Sequence, residues 1–387
     1  MLPATTDVVI VGAGPTGLTL GATLASKGIR FVLLDRLSEG ANTSRAAVVH
    51  ARTLEVLESL GVSERLRAEG IIVPRFTIRD RDRALLTVPF EGLPTRYPYT
   101  LMIPQNRTEA ILADRLRELG GHVQRPYTLA DVRQDADGVD VTVSNGSTAR
   151  QTIRGRYVVG ADGMHSTVRE RAGIAFAGGS YEQAFVLADV RMTWALGRDE
   201  VMLLFSPEGL VVVAPLPGGS YRVVATVDDA PEFPSLADIQ RLLDARGPMS
   251  HAARVSEVVW SSRFRVHHRV AGTFRAGRLL VAGDAAHVHS PAGGQGMNTG
   301  IQDAIALGQA LASVVAGGAD ESALDNYEGS RRPVAERVVA FADRLTRVAT
   351  VKGRQTRSLR NAAMRVLDHV PAFRRRLAME LAELHVQ

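Results

Sequence analysis

A predicted strand runs directly into a glycine-rich turn near the N-terminus of the chain. Residues 7–11 read DVVIV, and Gly12, Gly14 and Gly17 follow at the spacing G-x-G-x-x-G. In such a turn the first glycine permits the tight bend, the second lets the backbone approach a pyrophosphate, and the third allows close packing of helix on strand. A helix opening at Pro15 would point its positive end at the phosphates.

An acidic residue follows this turn at the spacing expected for a ribose contact. Asp35 ends a second predicted strand, 31–34, and lies 23 residues after Gly12, so its carboxylate can accept hydrogen bonds from a ribose. A purely structural strand-helix turn would explain the glycines but not the placed acid. The combination therefore predicts a dinucleotide site.

Two further motifs follow predicted strands later in the chain. The first is the segment 160–163, GADG, and the second is 283–287, GDAAH, which leads into the segment 290–298, SPAGGQGMN. Alone, Asp162 or Asp284 could be an ordinary aspartate at a strand end. In this order, after the N-terminal turn, they indicate a second half of the same ligand site.

The last motif favours binding of a flat, charged ring. Asp284 follows a predicted strand of a parallel sheet, where open α/β sheets bind ligands and where it can hold sugar-alcohol hydroxyls. The glycines of 293–296 would expose backbone N–H groups, and a helix predicted at 297–315 adds its positive end. A reduced flavin carries negative charge along its N1–C2=O edge, which such donors would stabilise. A flexible surface loop would explain the glycines but not their position.

Composition limits the class of protein. The chain has 387 residues, 45% of them hydrophobic, which is enough for two domains with separate cores. It has no cysteine, so disulfides, thiolate metal sites and dithiol relays are excluded, and we expect no metal site. The net charge of +5 comes almost wholly from dispersed arginines, so no nucleic-acid partner is expected. No apolar run is long enough to span a membrane, which predicts a cytoplasmic protein without a membrane partner.

The order of patterns predicts an α/β protein in which a Rossmann-like domain of the glutathione-reductase type is interrupted by a mixed β-sheet domain and followed by C-terminal helices. Helical spacing covers 46–60 and 108–119, a hairpin covers 131–143, and short strands separated by Gly and Pro turns fill 184–227. The predicted parts are nucleotide-binding at 1–70, 101–174 and 271–320, substrate-binding sheet at 71–100 and 175–270, and a helical segment at 321–387.

These motifs resemble the FAD-dependent aromatic hydroxylases of the para-hydroxybenzoate hydroxylase type, the group A flavoprotein monooxygenases, especially bacterial members that act on aromatic polyketides and phenols. The resemblance covers about residues 5–340. It implies a non-covalent FAD whose contacts, carried over residue by residue, are Gly12, Gly14, Gly17, Asp35, Arg36, Arg45, Gln105, Val132, Asp162, Asp284, Pro291, Gly296, Met297 and Asn298. Asp35 departs from the commoner glutamate, which shortens the reach to the ribose but keeps the charge.

The resemblance also implies the reaction. NAD(P)H, bound transiently, would reduce FAD, O2 would add at flavin C4a, and the hydroperoxide would hydroxylate a small aromatic substrate. The backbone of Pro291, Gly296 and Met297 would act on the flavin, while His287 and His289 are either proton carriers or structural histidines. A monomer or a homodimer is expected.

Other reactions remain open on such a fold, because fold and FAD site do not fix the chemistry. They are an oxidase, a Baeyer-Villiger-type oxygenase, a reductase and a flavin-binding protein without turnover. A disulfide reductase would need cysteines, and a flavin halogenase a lysine near the site, whereas the only lysines are Lys27 and Lys352. The segment 210–214, LVVVA, is apolar on both faces and favours a hydrophobic aromatic substrate over a small carboxylate.

Overall fold

A computed structural model of the protein describes residues 2–40, 46–146, 150–351 and 353–384, with the backbone alone at Glu182. Its strands are β1 Thr5–Val11, β2 Phe31–Leu34, β3 Val48–Val49, β4 Ile71–Val73, β5 Arg75–Asp80, β6 Arg83–Pro89, β7 Thr100–Met102, β8 Val123–Gln124, β9 Thr128–Gln134, β10 Val139–Ser144, β11 Arg150–Gly160, β12 Phe176–Thr193, β13 Glu200–Ser206, β14 Gly209–Pro215, β15 Ser220–Val227, β16 Arg254–Ala271, β17 Arg275–Ala276, β18 Leu279–Val281 and β19 His287–Val288.

The described residues form ten α-helices. They are α1 Pro15–Ser26, α2 Ala51–Leu57, α3 Ser63–Glu69, α4 Gln105–Glu118, α5 Thr167–Arg171, α6 Leu236–Arg246, α7 Gly296–Val315, α8 Ser322–Ala349, α9 Arg354–Asp368 and α10 Pro371–Leu381. Among the described residues, no helix is both long enough and apolar enough to cross a membrane.

The first sheet carries the three motifs at one edge. Its strands lie in the order β17-β18-β11-β1-β2-β8, and β18, β11, β1, β2 and β8 run parallel. Residues 6–11 of β1 are all buried, as expected for a strand covered on both faces. Because parallel strands end at the same edge, Gly12, Asp35, Asp162 and Asp284 all follow strand ends on one side of the sheet.

Two helices of this layer approach each other closely because of small residues. A Cβ at Gly308 of α7 would lie 2.6 Å from Cγ2 of Thr23 on α1, and one at Gly300 would lie 2.5 Å from Oγ1 of Thr16. Both helices therefore begin at the same edge of the sheet, and their positive ends face a common space.

The second sheet has eight strands, as does the first when the β9–β10 hairpin beside β11 is counted, and it is mostly antiparallel. Its order is β19-β16-β12-β15-β14-β13-β5-β6, with β13 and β5 parallel. The apolar patterns predicted strands for β12 to β15, and the structure confirms them with longer bounds. Sequence reasoning missed α6 and the 18-residue strand β16, whose polar, partly exposed residues lack a clear alternating pattern.

The helix predicted over 46–60 was wrong in its first part. Val48–Val49 forms β3, which pairs with β7 in a three-stranded antiparallel sheet that also contains β4, and α2 starts only at Ala51. Tertiary pairing thus overrides the helical spacing at 46–49. The prediction of C-terminal helices is confirmed by α8, α9 and α10.

Candidate functional site

The three glycines of the N-terminal turn have different surroundings. Gly12 has φ of 101°, and a Cβ there would lie 2.3 Å from the Ala161 carbonyl oxygen. A Cβ at Gly17 would lie 1.8 Å from the Gly12 oxygen, whereas a Cβ at Gly14 would meet nothing within 4 Å. Gly12 and Gly17 are thus required by packing. Gly14 is not, and it borders open space at the start of α1, where a ligand's phosphates could lie.

Asp35 supports this turn from the end of β2. Its Oδ2 accepts a hydrogen bond from the Ala13 N–H (2.9 Å), and its Oδ1 accepts one from the Leu37 N–H (2.8 Å). Nη2 of Arg125 lies 3.8 Å from Oδ2. A carboxylate has about four lone-pair positions, so acceptor capacity for ribose hydroxyls remains after these bonds.

Other predicted contacts lie on neighbouring segments. Arg36 and Gln105 line the same cavity as Gly14. Oε1 of Gln105, at the start of α4, accepts from the Ala46 N–H (3.0 Å), which ties α4 to the chain entering β3. Arg45 lies outside the described residues.

Two predicted contacts have other roles in the structure. Oδ2 of Asp162 accepts hydrogen bonds from the N–H groups of Thr167 (2.7 Å) and Val168 (3.2 Å), so its side chain holds the start of α5. Burial raises the pKa of Asp162. Val132 lies opposite Val141 in the hairpin of β9 and β10 and is buried in the core. Neither residue belongs to the cavity lining, and their contact with a cofactor stays a prediction.

The segment 283–298, here called the cofactor loop, follows β18 and ends in the first turn of α7. Asp284 is exposed and lines the cavity, as do Pro291, Gly296 and Met297. The first N–H bonded within α7 is that of Thr299, to the Gln295 oxygen (2.9 Å). The N–H groups of residues 296–298 therefore have no acceptor within the helix. Gly296 and Met297 line the cavity at the positive end of the helix dipole, whereas Asn298 is buried.

Asn298, which the family resemblance places beside the flavin ring, has a side chain that bonds only to other parts of the protein. It is buried, its Oδ1 accepts from the His50 N–H (2.8 Å), and its Nδ2 donates to the carbonyl oxygens of Val48 and Gly294 (2.9 Å each). Asn298 thus ties the cofactor loop to β3. Only its backbone N–H is left as a predicted ligand contact.

His287 is held in a buried charged group. Its Nε2 lies 2.7 Å from Oδ2 of Asp303, whose Oδ1 accepts from Nε of Arg331 (2.6 Å). Burial alone would raise the pKa of Asp303, but the charges and hydrogen bonds of Arg331 and His287 hold it below its ordinary value. Asp303 also accepts from the Gly283 N–H (3.2 Å), so this group braces the start of the cofactor loop.

Two other histidines line the cavity in neutral form. Burial lowers the pKa of His50 and of His289 to about 4 each. Nε2 of His50 donates to the Gly293 oxygen (3.0 Å), and Nδ1 of His289 donates to the Ser290 oxygen (2.9 Å), because a carbonyl only accepts. The remaining ring nitrogen of each is therefore an acceptor.

The cavity itself has a volume of about 550 Å³ and continues from the glycine turn to the second sheet. Its far wall is formed by Val212 and Ala214 of β14, Val224 of β15 and Phe264 of β16. The apolar character expected for 210–214 is confirmed for this strand. A volume in this range is ordinary for sites that bind a small molecule largely enclosed by apolar side chains.

One charged pair interrupts the apolar wall. Arg222 of β15 is 4% exposed and lines the cavity, and its Nε and Nη2 each donate to a carboxylate oxygen of Asp189 on β12 (2.8 Å). The two residues are direct partners in the strand register. Sequence reasoning missed this pair, although opposite charges inside two apolar antiparallel strands were a usable signal.

The residues at this edge fit FAD. The open space at Gly14 suits a pyrophosphate, Asp35 and Asp284 suit sugar and sugar-alcohol hydroxyls, and the amides at 296–298 suit the anionic edge of a flavin. A Rossmann-like sheet joined in this way to a mixed sheet that closes the cavity defines a flavoprotein of the aromatic hydroxylase fold.

Comparison with known proteins agrees with that class. Residues 5–342 match the family described as FAD binding domain, and the chain belongs to this family. It is 42% identical over 350 residues to 6-methylpretetramide 4-monooxygenase of Streptomyces rimosus, with 89% of this chain and 61% of that protein covered. It is 38% identical to 12-dehydrotetracycline 5-monooxygenase/anhydrotetracycline 6-monooxygenase of Streptomyces rimosus subsp. rimosus, with 98% and 77% covered.

A solved structure is similar over its whole length. The crystal structure of p-nitrophenol 4-monooxygenase from Pseudomonas putida DLL-E4 superposes with a TM-score of 0.90 at 27% identity, covering 100% of both chains. The present chain thus spans the full length of this neighbour, but about three fifths of the first curated relative.

Proposed function

We propose that the chain is an FAD-dependent monooxygenase that consumes NAD(P)H and O2 and hydroxylates a hydrophobic aromatic substrate of the phenolic or polyketide type. The observation that carries the proposal is the continuity of one cavity: the amide-bearing start of α7 and the apolar wall of β14 and β15 line the same space. The names of the relatives specify 6-methylpretetramide, 12-dehydrotetracycline, anhydrotetracycline and p-nitrophenol, which supports the same substrate class.

FAD, reduced by NAD(P)H, would supply the oxygen-transfer chemistry here as its C4a-hydroperoxide. The protein's contribution is electrostatic and steric. The N–H groups of Gly296, Met297 and Asn298 stabilise negative charge on the reduced ring without any mobile ion, and Pro291 borders the same space. His289 stays uncharged at neutral pH, so it places no cation beside the cavity.

The substrate side favours a neutral ring with oxygen substituents. Val212, Val224 and Phe264 offer apolar contact and exclude water. The charge of Arg222 is already balanced by two hydrogen bonds to Asp189, so a substrate carboxylate gains little from it. A phenol or carbonyl oxygen at this end suits the pair better than an anion.

The test begins with the visible spectrum of the purified protein. Flavin reduction by NADPH and NADH is then followed anaerobically, with and without tetracyclic phenols and p-nitrophenol. Bound FAD, faster reduction with a phenol, and a product heavier by one oxygen in air are the expected results. FAD that neither nicotinamide reduces would contradict the proposal and favour an oxidase or a flavoprotein without turnover. Absence of flavin after reconstitution would overturn FAD binding.

A variant separates substrate binding from flavin binding. Val212 is half-buried in the cavity wall, so Val212→Phe adds a ring to the substrate side. We expect FAD binding to persist and the acceleration by a phenol to be lost. Val259→Phe, at a residue 55% exposed on β16, is the matched control and should behave as the wild type.

A further inference from the structure

The end of α10 and the turn after it lie against the cofactor loop and α2. Nε2 of Gln295 donates to the Glu380 carbonyl oxygen (3.0 Å), and the Arg52 N–H donates to the Ala382 oxygen (3.2 Å). Between these two bonds, Leu381 lines the cavity. Residues 380–383, here called the C-terminal clamp, therefore contribute Leu381 to the cavity wall and join the cofactor loop to α2.

Gln295 connects the clamp to the amides of α7. It is 2% exposed and is the residue before the first turn of that helix. Its backbone oxygen accepts from both N–H (2.9 Å) and Oγ1 (3.0 Å) of Thr299, so its position sets where α7 begins. A shift of the clamp would move Gln295 and with it the N–H groups of residues 296–298.

Glu383 fastens the clamp from inside the protein. It is 2% exposed, and Oε2 accepts a hydrogen bond from Nε2 of Gln302, which also lies 3.2 Å from Oγ1 of Thr53. Oε1 is buried and has no hydrogen-bond partner among the described residues. Its φ of 59° is uncommon for a residue other than glycine, so the surrounding contacts must hold it there.

The cation that acts on Glu383 is already bonded to another carboxylate. Arg331 of α8 is bonded to Asp303 of α7, and Arg52 of α2 is bonded to Glu55 (2.9 Å). Asp303 itself disfavours a second charge, whereas Arg331 favours it. Burial outweighs the hydrogen bond from Gln302 and the charge of Arg331, and it raises the pKa of Glu383 to about 8.

We infer that the C-terminal clamp is a positioning element for the cofactor loop, and that Glu383 holds it closed in its protonated, uncharged form. This inference rests on the proposed binding of FAD to that loop. Deprotonation places an unbalanced charge in the core and favours an open clamp with Glu383 in water. Since an acid in water ionises near pH 4.5, each pH unit between there and about 8 favours the open clamp by up to tenfold.

The test measures FAD affinity of the apoenzyme by flavin fluorescence from pH 6.5 to 9.5. We expect the Kd of the wild type to rise, by at most about 30-fold, because 1.5 pH units separate 6.5 from the midpoint near 8. Glu383→Gln keeps an uncharged side chain of the same shape, so its Kd should stay flat. Glu91→Gln, at an exposed acid, is the matched control and should follow the wild type.

Glu383→Ala removes the hydrogen bond between the clamp and Gln302 and should weaken FAD binding at every pH. Thermal unfolding of each apoenzyme checks that the variant is folded. If Glu383→Ala is not folded, the pH dependence of the ratio between the wild-type and Glu383→Gln affinities for FAD still tests the role of Glu383. Parallel pH profiles of these two proteins would overturn the inference about Glu383. Failure of all variants and the wild type to bind FAD would instead refute the proposed function.

Discussion

Replacement of Gly14 by alanine separates the ligand role of the turn from its structural role. Gly14 has φ of −73° and ψ of −174°, which any residue adopts, and its Cβ would meet nothing within 4 Å. Alanine loses less chain entropy on folding than glycine, a gain of about 0.4–1 kcal/mol. It is also a poorer helix N-cap, which costs a similar amount. The unfolding free energy of the apoenzyme should therefore change by less than about 1 kcal/mol.

The effect on FAD should be larger. The added methyl group fills space that the backbone leaves open at the start of α1, where the pyrophosphate is proposed to lie. Forcing an extra methyl group into a close contact typically costs about 1–3 kcal/mol. At about 1.4 kcal/mol for each tenfold change, the Kd for FAD should rise by roughly 5- to 150-fold.

Gly17→Ala is the contrasting variant. Its Cβ would lie 1.8 Å from the Gly12 oxygen, so β1 and α1 would have to separate, and the apoenzyme itself should be strongly destabilised. Thermal unfolding by circular dichroism and FAD titration by calorimetry, applied to both variants, distinguish the two roles. If Gly14→Ala folds normally and binds FAD as tightly as the wild type, the pyrophosphate does not lie at this turn.

Three further predictions follow from buried groups. Asp189→Asn leaves the guanidinium of Arg222 buried without its carboxylate, so it should lower the free energy of unfolding, measured in urea, by about 3–5 kcal/mol. Replacing both residues, one by leucine and the other by methionine, should restore most of that stability, and equal stability of the single and double variants would contradict this reasoning. Asp303 has a lowered pKa in the folded protein, so its charge stabilises the fold above the unfolded pKa of about 3.8, and this stabilisation is lost as pH falls through the folded pKa. The stabilities of the wild type and Asp303→Asn should therefore converge in acid, and a constant difference between them would refute the reasoning. Because the pKa of His289 is about 4, His289→Gln should leave the pH dependence of flavin reduction between 5.5 and 8 unchanged, and disappearance of a titration in that range would show a proton carrier.

Local sequence patterns were sufficient to predict those parts of the site in which one short segment supplies both the turn and the ligand-binding groups. The glycine turn, Asp35 and the cofactor loop each lie within a short stretch that joins a strand to a helix, and the family resemblance aligned them. The first sheet then brought them to one edge, because parallel strands end together. The domain bounds, the cytoplasmic location and the monomeric or homodimeric state stay predictions.

The site residues that could not be predicted from the sequence are those whose roles depend on contacts between distant parts of the chain. The side chain of Asn298 donates to the carbonyl oxygen of Val48 in β3, 250 positions earlier in the chain. Its position in the motif did not reveal this contact. The segment after residue 320 carries no motif, yet it contributes Arg331, Leu381 and Glu383 to the surroundings of the site. Their roles depend on how α8 and α10 pack, which periodicity alone does not give.

The pairing of β16 with β19 has a mechanical consequence. β16 forms part of the substrate side through Phe264 and then pairs with β19, where Arg269 and Val270 stand opposite Val288 and His287. The far wall of the cavity is therefore hydrogen-bonded to the cofactor loop through the backbone. β16 is one continuous strand from Phe264 to Val270, so we expect a displacement of this wall by a bulky substrate to shift the cofactor loop as well.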